Sequence, residues 1–127
     1  MSKAAVFCAP SHAEVHRVID GVAILRGLPS IVVAGTIAHE LGHVWLIMQA
    51  ARDWPKSDEE GFCQLLAHRY YIQLDTDDSR CQARRIERNP DAIYGDGFRC
   101  VGAVADAVGF HHLIRIIVAT KRLPRER

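Results

Sequence analysis

Between Ser30 and Ala51 the chain reads SIVVAGTIAHELGHVWLIMQAA, and its only ionisable side chains there are His39, Glu40 and His43. A segment apolar on most of its faces expects burial. Burying three ionisable groups together is costly unless something compensates them. Two histidines four apart share a helix face and both reach one metal ion, while the glutamate between them is placed to act on a water at that metal. The segment therefore predicts a buried helix from about Pro29 to Arg52 that carries a His-Glu-x-x-His zinc site, and the rest of the fold must be built around it.

The chain has 127 residues, enough for a single domain, 1–127, with a modest core. Sixteen Lys+Arg against fifteen Asp+Glu leave a formal charge of +1, which argues against a nucleic-acid surface. Arg84, Arg85 and Arg88 lie together, as do Lys121, Arg122, Arg125 and Arg127, and both groups read as solvated faces. Cys8, Cys63, Cys81 and Cys100 form no C-x-x-C pair, so a cysteine zinc site or a dithiol redox motif is not expected. The N-terminal MSKAAVFCAP lacks the apolar run of a signal peptide, and Arg26 and Pro29 break the longest apolar stretch short of a membrane span. The expectation is a cytoplasmic chain with reduced thiols and no membrane partner.

Ser11-His-Ala-Glu14 has the form of a capping box, and Val15, Val18, Ile19, Val22 and Leu25 follow at helical spacing, so a first helix is expected from about residue 12. Ser57-Asp-Glu-Glu60 is a second such box, opening a helix with Phe62, Leu65, Leu66, Tyr70 and Leu74 as its apolar positions. A shorter helix is expected over Ser79 to Arg88, then turn chemistry at Asn89-Pro90-Asp91 and Tyr94-Gly-Asp-Gly97. A last helical stretch from Phe98 to about Lys121 is interrupted near Gly109. Strand signals are weak, with Val6-Phe7-Cys8 the one candidate. Trp45, Leu46, Met48, Phe62 and Phe98 read as core. The fold class is mainly α, a compact helical domain.

A catalytic zinc site needs a third protein ligand and leaves its fourth position to water. A third histidine would fall six residues after His43, but that position is Gln49. A glutamate on the following helix is the other common solution, and Glu59 and Glu60 both lie there. Glu60 also has a competing role as the capping partner of Ser57. Gln64, one turn on, is placed to hydrogen-bond a ligand histidine. Gly42 costs the helix about 1 kcal/mol against alanine, and close packing behind the metal accounts for it.

Several segments together resemble one family. They are ILRGLPS at 24–30, IAHELGHVWL at 37–46, EEGFCQLLAH at 59–68, YGDGFR at 94–99 and GFHHLIRIIVATKRLP at 109–124. In this order they are similar to the C-terminal peptidase domain of the plant LIM-domain-containing, ubiquitin-activated peptidases and their small bacterial relatives in the gluzincin clan. The resemblance implies a zincin-like fold with His39, His43 and Glu60 as zinc ligands and Glu40 as the catalytic acid/base. It favours Glu60 over Glu59 because the ligand glutamate of gluzincins precedes a small residue and an aromatic. No LIM or ubiquitin-interacting segment occurs in these 127 residues, so regulation by ubiquitin is not carried over. Gluzincins also place a small β-sheet before the motif helix, and its edge strand holds extended substrate. With so few residues ahead of the first expected helix, that sheet is expected to be vestigial, supplied by a partner, or absent.

Tyr94 is the first candidate for a donor to the oxyanion, with His111 and His112 as alternatives and a packed, turn-stacking tyrosine as its ordinary role. Asp96 is expected to order the turn or to contact a ligand histidine. His12, His16 and His68 have no identifiable partner. The leading expectation is a small zinc-dependent metallopeptidase acting on a peptide or protein substrate through a water that Glu40 activates, with any regulatory protein partner left open. The alternative is a non-catalytic, zinc-stabilised helical module that binds a protein partner, favoured by the missing edge strand. A metal-free interaction domain is the third reading.

Overall fold

The computed structural model describes residues 4–10, 17–24 and 27–125. An antiparallel ribbon of β1 (Ala4–Pro10) and β2 (Arg17–Ile24) precedes five helices, α1 (Ser30–Met48), α2 (Lys56–Leu74), α3 (Asp77–Glu87), α4 (Tyr94–Val108) and α5 (Phe110–Thr120). The chain is thus mainly helical, as the sequence implied, but its first expected helix is a strand over 17–24. The register runs from Ala4 opposite Ile24 to Pro10 opposite Arg17 and shifts between Phe7 and Cys8, where Phe7 faces Gly21 and Cys8 faces Ile19. Asp20 is therefore the extra residue of a bulge. The helical spacing of Val18, Ile19 and Val22 loses to pairing with β1. These residues are β-branched and favour a pleated surface, and Gly21 would weaken a helix. The Ser11 capping box lies outside the described residues.

Both strands pack on α1, so a two-stranded ribbon stands ahead of the motif helix. The helix α1 is by itself long and apolar enough to cross a membrane, so the breaks at Arg26 and Pro29 do not exclude a span by length. Its buried positions are Gly35, His39, Glu40, Gly42 and Leu46, where it packs against α2, but only 28% of its apolar stretch is buried and Ile37, Leu41 and Met48 are exposed, so the burial expected for this segment is met only on the face that carries the motif.

The helix α2 is the centre of the molecule, in contact with α1, α3 and α4. Phe62, Cys63, Leu65, Ala67 and Tyr71 from α2 meet Leu46 of α1, Phe98, Val101 and Ala105 of α4, and Leu113 and Ile117 of α5 in one core. Trp45 stacks on Phe62 from the rim, with ring centroids 5.7 Å apart. Met48, expected in the core, is 73% exposed, because it falls on the last turn of α1 beyond the reach of α2. At Gly42 an added Cβ would stand 2.9 Å from Cys63 Sγ, so the glycine permits the close α1–α2 approach that the sequence suggested. The last helical stretch does break at Gly109, whose φ of 88° lets α4 and α5 meet at 102°.

Two helix starts differ from their sequence signals. α2 begins after Pro55 with no side-chain cap, so Ser57 lies inside the helix and its box with Glu60 does not form. α3 starts two residues before the expected Ser79, because Thr76 caps it. Thr76 Oγ1 accepts from the Ser79 backbone N–H at 3.0 Å, and Ser79 Oγ accepts from the Thr76 N–H at 2.8 Å.

Candidate metal centre

Residues 49–55 turn the chain so that α2 returns antiparallel along α1. Contacts pair off in reverse order: His43 with Glu59 and Glu60, His39 with Glu60 and Gln64, and Ile31 with Tyr71. This register brings the two motif histidines to one carboxylate. His39 Nε2 lies 3.0 Å from Glu60 Oε2, and His43 Nε2 lies 2.9 Å from Glu60 Oε1. His39 and Glu60 are both buried. Freed of any capping role, Glu60 is committed to the imidazoles.

The outer nitrogen of each ring is also held. His39 Nδ1 donates to Gln64 Oε1 at 2.8 Å, the contact expected from the sequence. His43 Nδ1 donates to Glu59 Oε1 at 3.2 Å. Because each Nδ1 carries the donated hydrogen, each Nε2 is the atom left to bind a metal. The sequence reading gave Glu59 no such place. Its signal was a carboxylate in the first turn of α2, next to Glu60 and about 100° round the helix from it, where it reaches the other nitrogen of His43.

Burial pulls the charged form of His43 down, but hydrogen bonds with Cys63, Glu59 and Glu60 outweigh it and raise its pKa to about 12. Burial alone would raise Glu60, yet its bonds to His39 and His43 hold it at about 2. Without a metal, then, a proton on His43 supplies the positive charge that the carboxylates demand.

Cys63 is the second residue that sequence reasoning passed over. His39, His43 and Cys63 form a group that could hold a metal ion, with ligand atoms all within 4.8 Å of one another. Two donor sets therefore share the histidines. The glutamate set is favoured on geometry, because the Glu60 oxygens touch both Nε2 atoms while Cys63 sits against Gly42 behind them. Burial also pushes the Cys63 thiol up to about 11, so without a metal it carries its proton near neutrality, as His43 does. Zinc bonds of about 2.0–2.1 Å at tetrahedral angles separate their donor atoms by roughly 3.3 Å. The two histidine–glutamate spacings, 3.0 and 2.9 Å, lie within a few tenths of an ångström of that value, so Glu60 is chemically suited to join His39 and His43 around an ion.

The site opens on a cleft of about 700 Å³ between α1, α2 and α3, with His39, Glu40, Gln64 and Tyr94 on its wall. Glu40 is only 3% exposed, at the inner edge of that wall. The Tyr94 ring stands 6.1 Å from the His39 ring, and its hydroxyl lies near enough to Glu60 to feel its charge. Burial, then the negative charge of Glu60, push the phenol up to about 12, so it stays a proton donor. Asp91, not Asp96, orders the turn before it, accepting from the Ile93 and Tyr94 backbone N–H groups at 3.0 and 2.8 Å. Asp96 pairs instead with Arg99 at 2.5 Å on the surface. His111 and His112 are exposed on α5 and do not line the cleft, so the structure does not bring them to the site. His68 does have a partner, Glu87 at 2.7 Å. His12 and His16 lie outside the described residues.

Fold and site together define a helical protein with a buried two-histidine, one-glutamate centre on the wall of an open cleft. The DA1-like family model, described as Protein DA1, matches residues 3–83, and the chain belongs to that family. It is similar to Protein DA1 of Arabidopsis thaliana, 25% identical over 134 residues that cover 84% of this chain and 25% of that protein. Protein DA1-related 1 of the same plant is 38% identical over 50 residues, covering 39% of this chain and 9% of the relative. LIM domain-containing protein HDR3 of Oryza sativa subsp. japonica is 34% identical over 50 residues, covering 39% and 10%. The chain thus spans a quarter or less of the length of these relatives. No solved structure matches it.

Proposed function

We propose that this chain is a zinc metallopeptidase of the gluzincin type, a single zincin-like domain that acts in the cytoplasm on a peptide or protein substrate. The observation that carries the reading is Glu60 set between the Nε2 atoms of His39 and His43, with Glu40 beside them on the cleft wall. His39, His43 and Glu60 would hold the ion. Bound Zn²⁺ would supply Lewis acidity, polarising a carbonyl and bringing the pKa of a water towards neutrality.

The chain's own residues account for the rest. Glu40 takes a proton from the attacking water and delivers it to the leaving amine. Tyr94 donates to the oxygen on which negative charge develops. Gln64 and Glu59 fix the planes of the two imidazoles. The ribbon packed on α1 is the element that could pair with an extended substrate, as gluzincin edge strands do.

The test is Glu40→Gln measured beside the wild type. Zinc content should stay near one ion per chain while hydrolysis of a peptide library falls by at least about 10²-fold. A variant that still cleaves at the wild-type rate would sink the mechanism. Wild type that binds zinc and cleaves nothing would return the non-catalytic module to first place.

A further inference from the structure

The cleft has a charge that the catalytic reading does not use. On α3, residues 81, 84, 85 and 88 recur at helical spacing and share one face. That face borders the cleft, so Arg84, Arg85 and Arg88 line the same cleft as His39 and Glu40. The three guanidinium groups read in the sequence as an ordinary solvated face. They are exposed, but they are exposed to the cleft.

Among the described residues none of the three forms an ion pair, whereas Arg80, Arg99 and Arg125 each do. The lining holds two carboxylates, Glu40 and Asp91, and Asp91 is taken up by the Ile93 and Tyr94 backbone N–H groups of the turn before α4. Helix α3 touches α1, and Val32, Gly35 and Thr36 share the cleft lining with Arg84 and Arg85, which places the arginines by the first turns of α1. From there to Glu40 is about five to nine residues of helix, or roughly 8–13 Å. An extended peptide advances about 3.3 Å per residue, so the arginines reach side chains roughly two to four residues from the bond at the metal centre.

We infer that the cleft selects peptides bearing acidic side chains a few residues to one side of the scissile bond, with Arg84, Arg85 and Arg88 as the residues that read them. The inference rests on the peptidase reading above and names its substrate class. Arginine suits the task, since its planar fork meets a carboxylate through two parallel hydrogen bonds.

The test uses binding, so that it does not depend on turnover. Two fluorescent peptides of one sequence, with three Glu or three Gln and both amidated at the C-terminus, are titrated against zinc-loaded Glu40→Gln protein by anisotropy. The acidic peptide should bind on the order of tenfold tighter at low ionic strength, and the gap should narrow as salt is added. Arg84→Gln, Arg85→Gln and Arg88→Gln together should erase the gap, and Arg85→Glu alone should shrink it. Equal affinity for the two peptides would overturn the inference, as would a preference that survives the triple change. So would a requirement for a free C-terminal carboxylate, or tighter binding of an oligonucleotide of equal charge. Hydrolysis by wild type is followed in parallel. Cleavage of both peptides without preference leaves the peptidase standing and the inference fallen, and an acidic binding preference without cleavage does the reverse.

Discussion

Gly61 on α2 and Gly97 on α4 bring two helix backbones into direct contact: a Cβ built on Gly61 would stand 2.3 Å from the Gly97 carbonyl. Glu60 directly precedes the first glycine, and Tyr94 lies one turn before the second. The crossing therefore sets the distance between a candidate metal ligand and the phenol whose pKa it raises.

Gly61→Ala should accordingly destabilise the fold by about 1–3 kcal/mol, since neither backbone can yield cheaply. Gly102→Ala, on the same α4 but facing open space, should instead be neutral or stabilise by up to about 1 kcal/mol. Urea denaturation of the two variants makes the comparison. Equal effects would mean that the crossing is looser than these distances.

Two donor sets share His39 and His43, and substitution separates them. Glu60→Ala should abolish stoichiometric zinc while Cys63→Ser retains it, read as metal per chain after dialysis. Gln64→Ala should keep zinc but weaken it by about 10–100-fold, because the His39 ring loses the partner that orients it. Retention of zinc by Glu60→Ala together with its loss in Cys63→Ser would transfer the third position to the thiol.

The path from sequence to site was short where the spacing was local. Two histidines four apart on one helix and a glutamate on the next needed only a turn and an antiparallel return, and residues 49–55 supply it. The parts hidden in the sequence depend on distant pairing. Val18, Ile19 and Val22 fit a helix as a string and became a strand because β1 was there to receive them. Arg84, Arg85 and Arg88 look solvated until α3 is laid against the cleft. The Ser57–Glu60 box was a true local pattern, but Pro55 starts the helix early and frees Glu60 for the histidines.

Zinc binding should release protons. Without metal, hydrogen bonds to Cys63, Glu59 and Glu60 overcome burial and hold His43 protonated up to about 12, so the ion must displace that proton. Zinc affinity should therefore rise about tenfold per pH unit between roughly pH 6 and 9, with a matching proton release in calorimetry run in buffers of different ionisation enthalpy. The chelator-treated protein should follow the opposite logic. A raised histidine stabilises fully below its ordinary 6.5 and loses that contribution as pH climbs towards about 12. A lowered glutamate stabilises fully above its ordinary 4.5 and loses that contribution as pH falls towards about 2. The pair thus contributes most between pH 4.5 and 6.5. A melting temperature of the chelated protein that ignores pH on both sides of that window would contradict the pairing.

Tyr94 offers the sharpest separation of catalysis from metal binding. Its hydroxyl lies near Glu60 and its ring lies beside His39, but it is not needed to hold the ion. Tyr94→Phe removes one donor and keeps the ring, so zinc content and peptide affinity should be unchanged. If the phenol stabilises the developing oxyanion, kcat should fall by about 10²–10³-fold with KM little altered. If its service is to steady Glu60, zinc affinity should drop instead and added zinc should restore kcat. A variant with full kcat and full zinc would leave Tyr94 as a packing residue at the mouth of the cleft and would move the search for the oxyanion donor elsewhere on its wall.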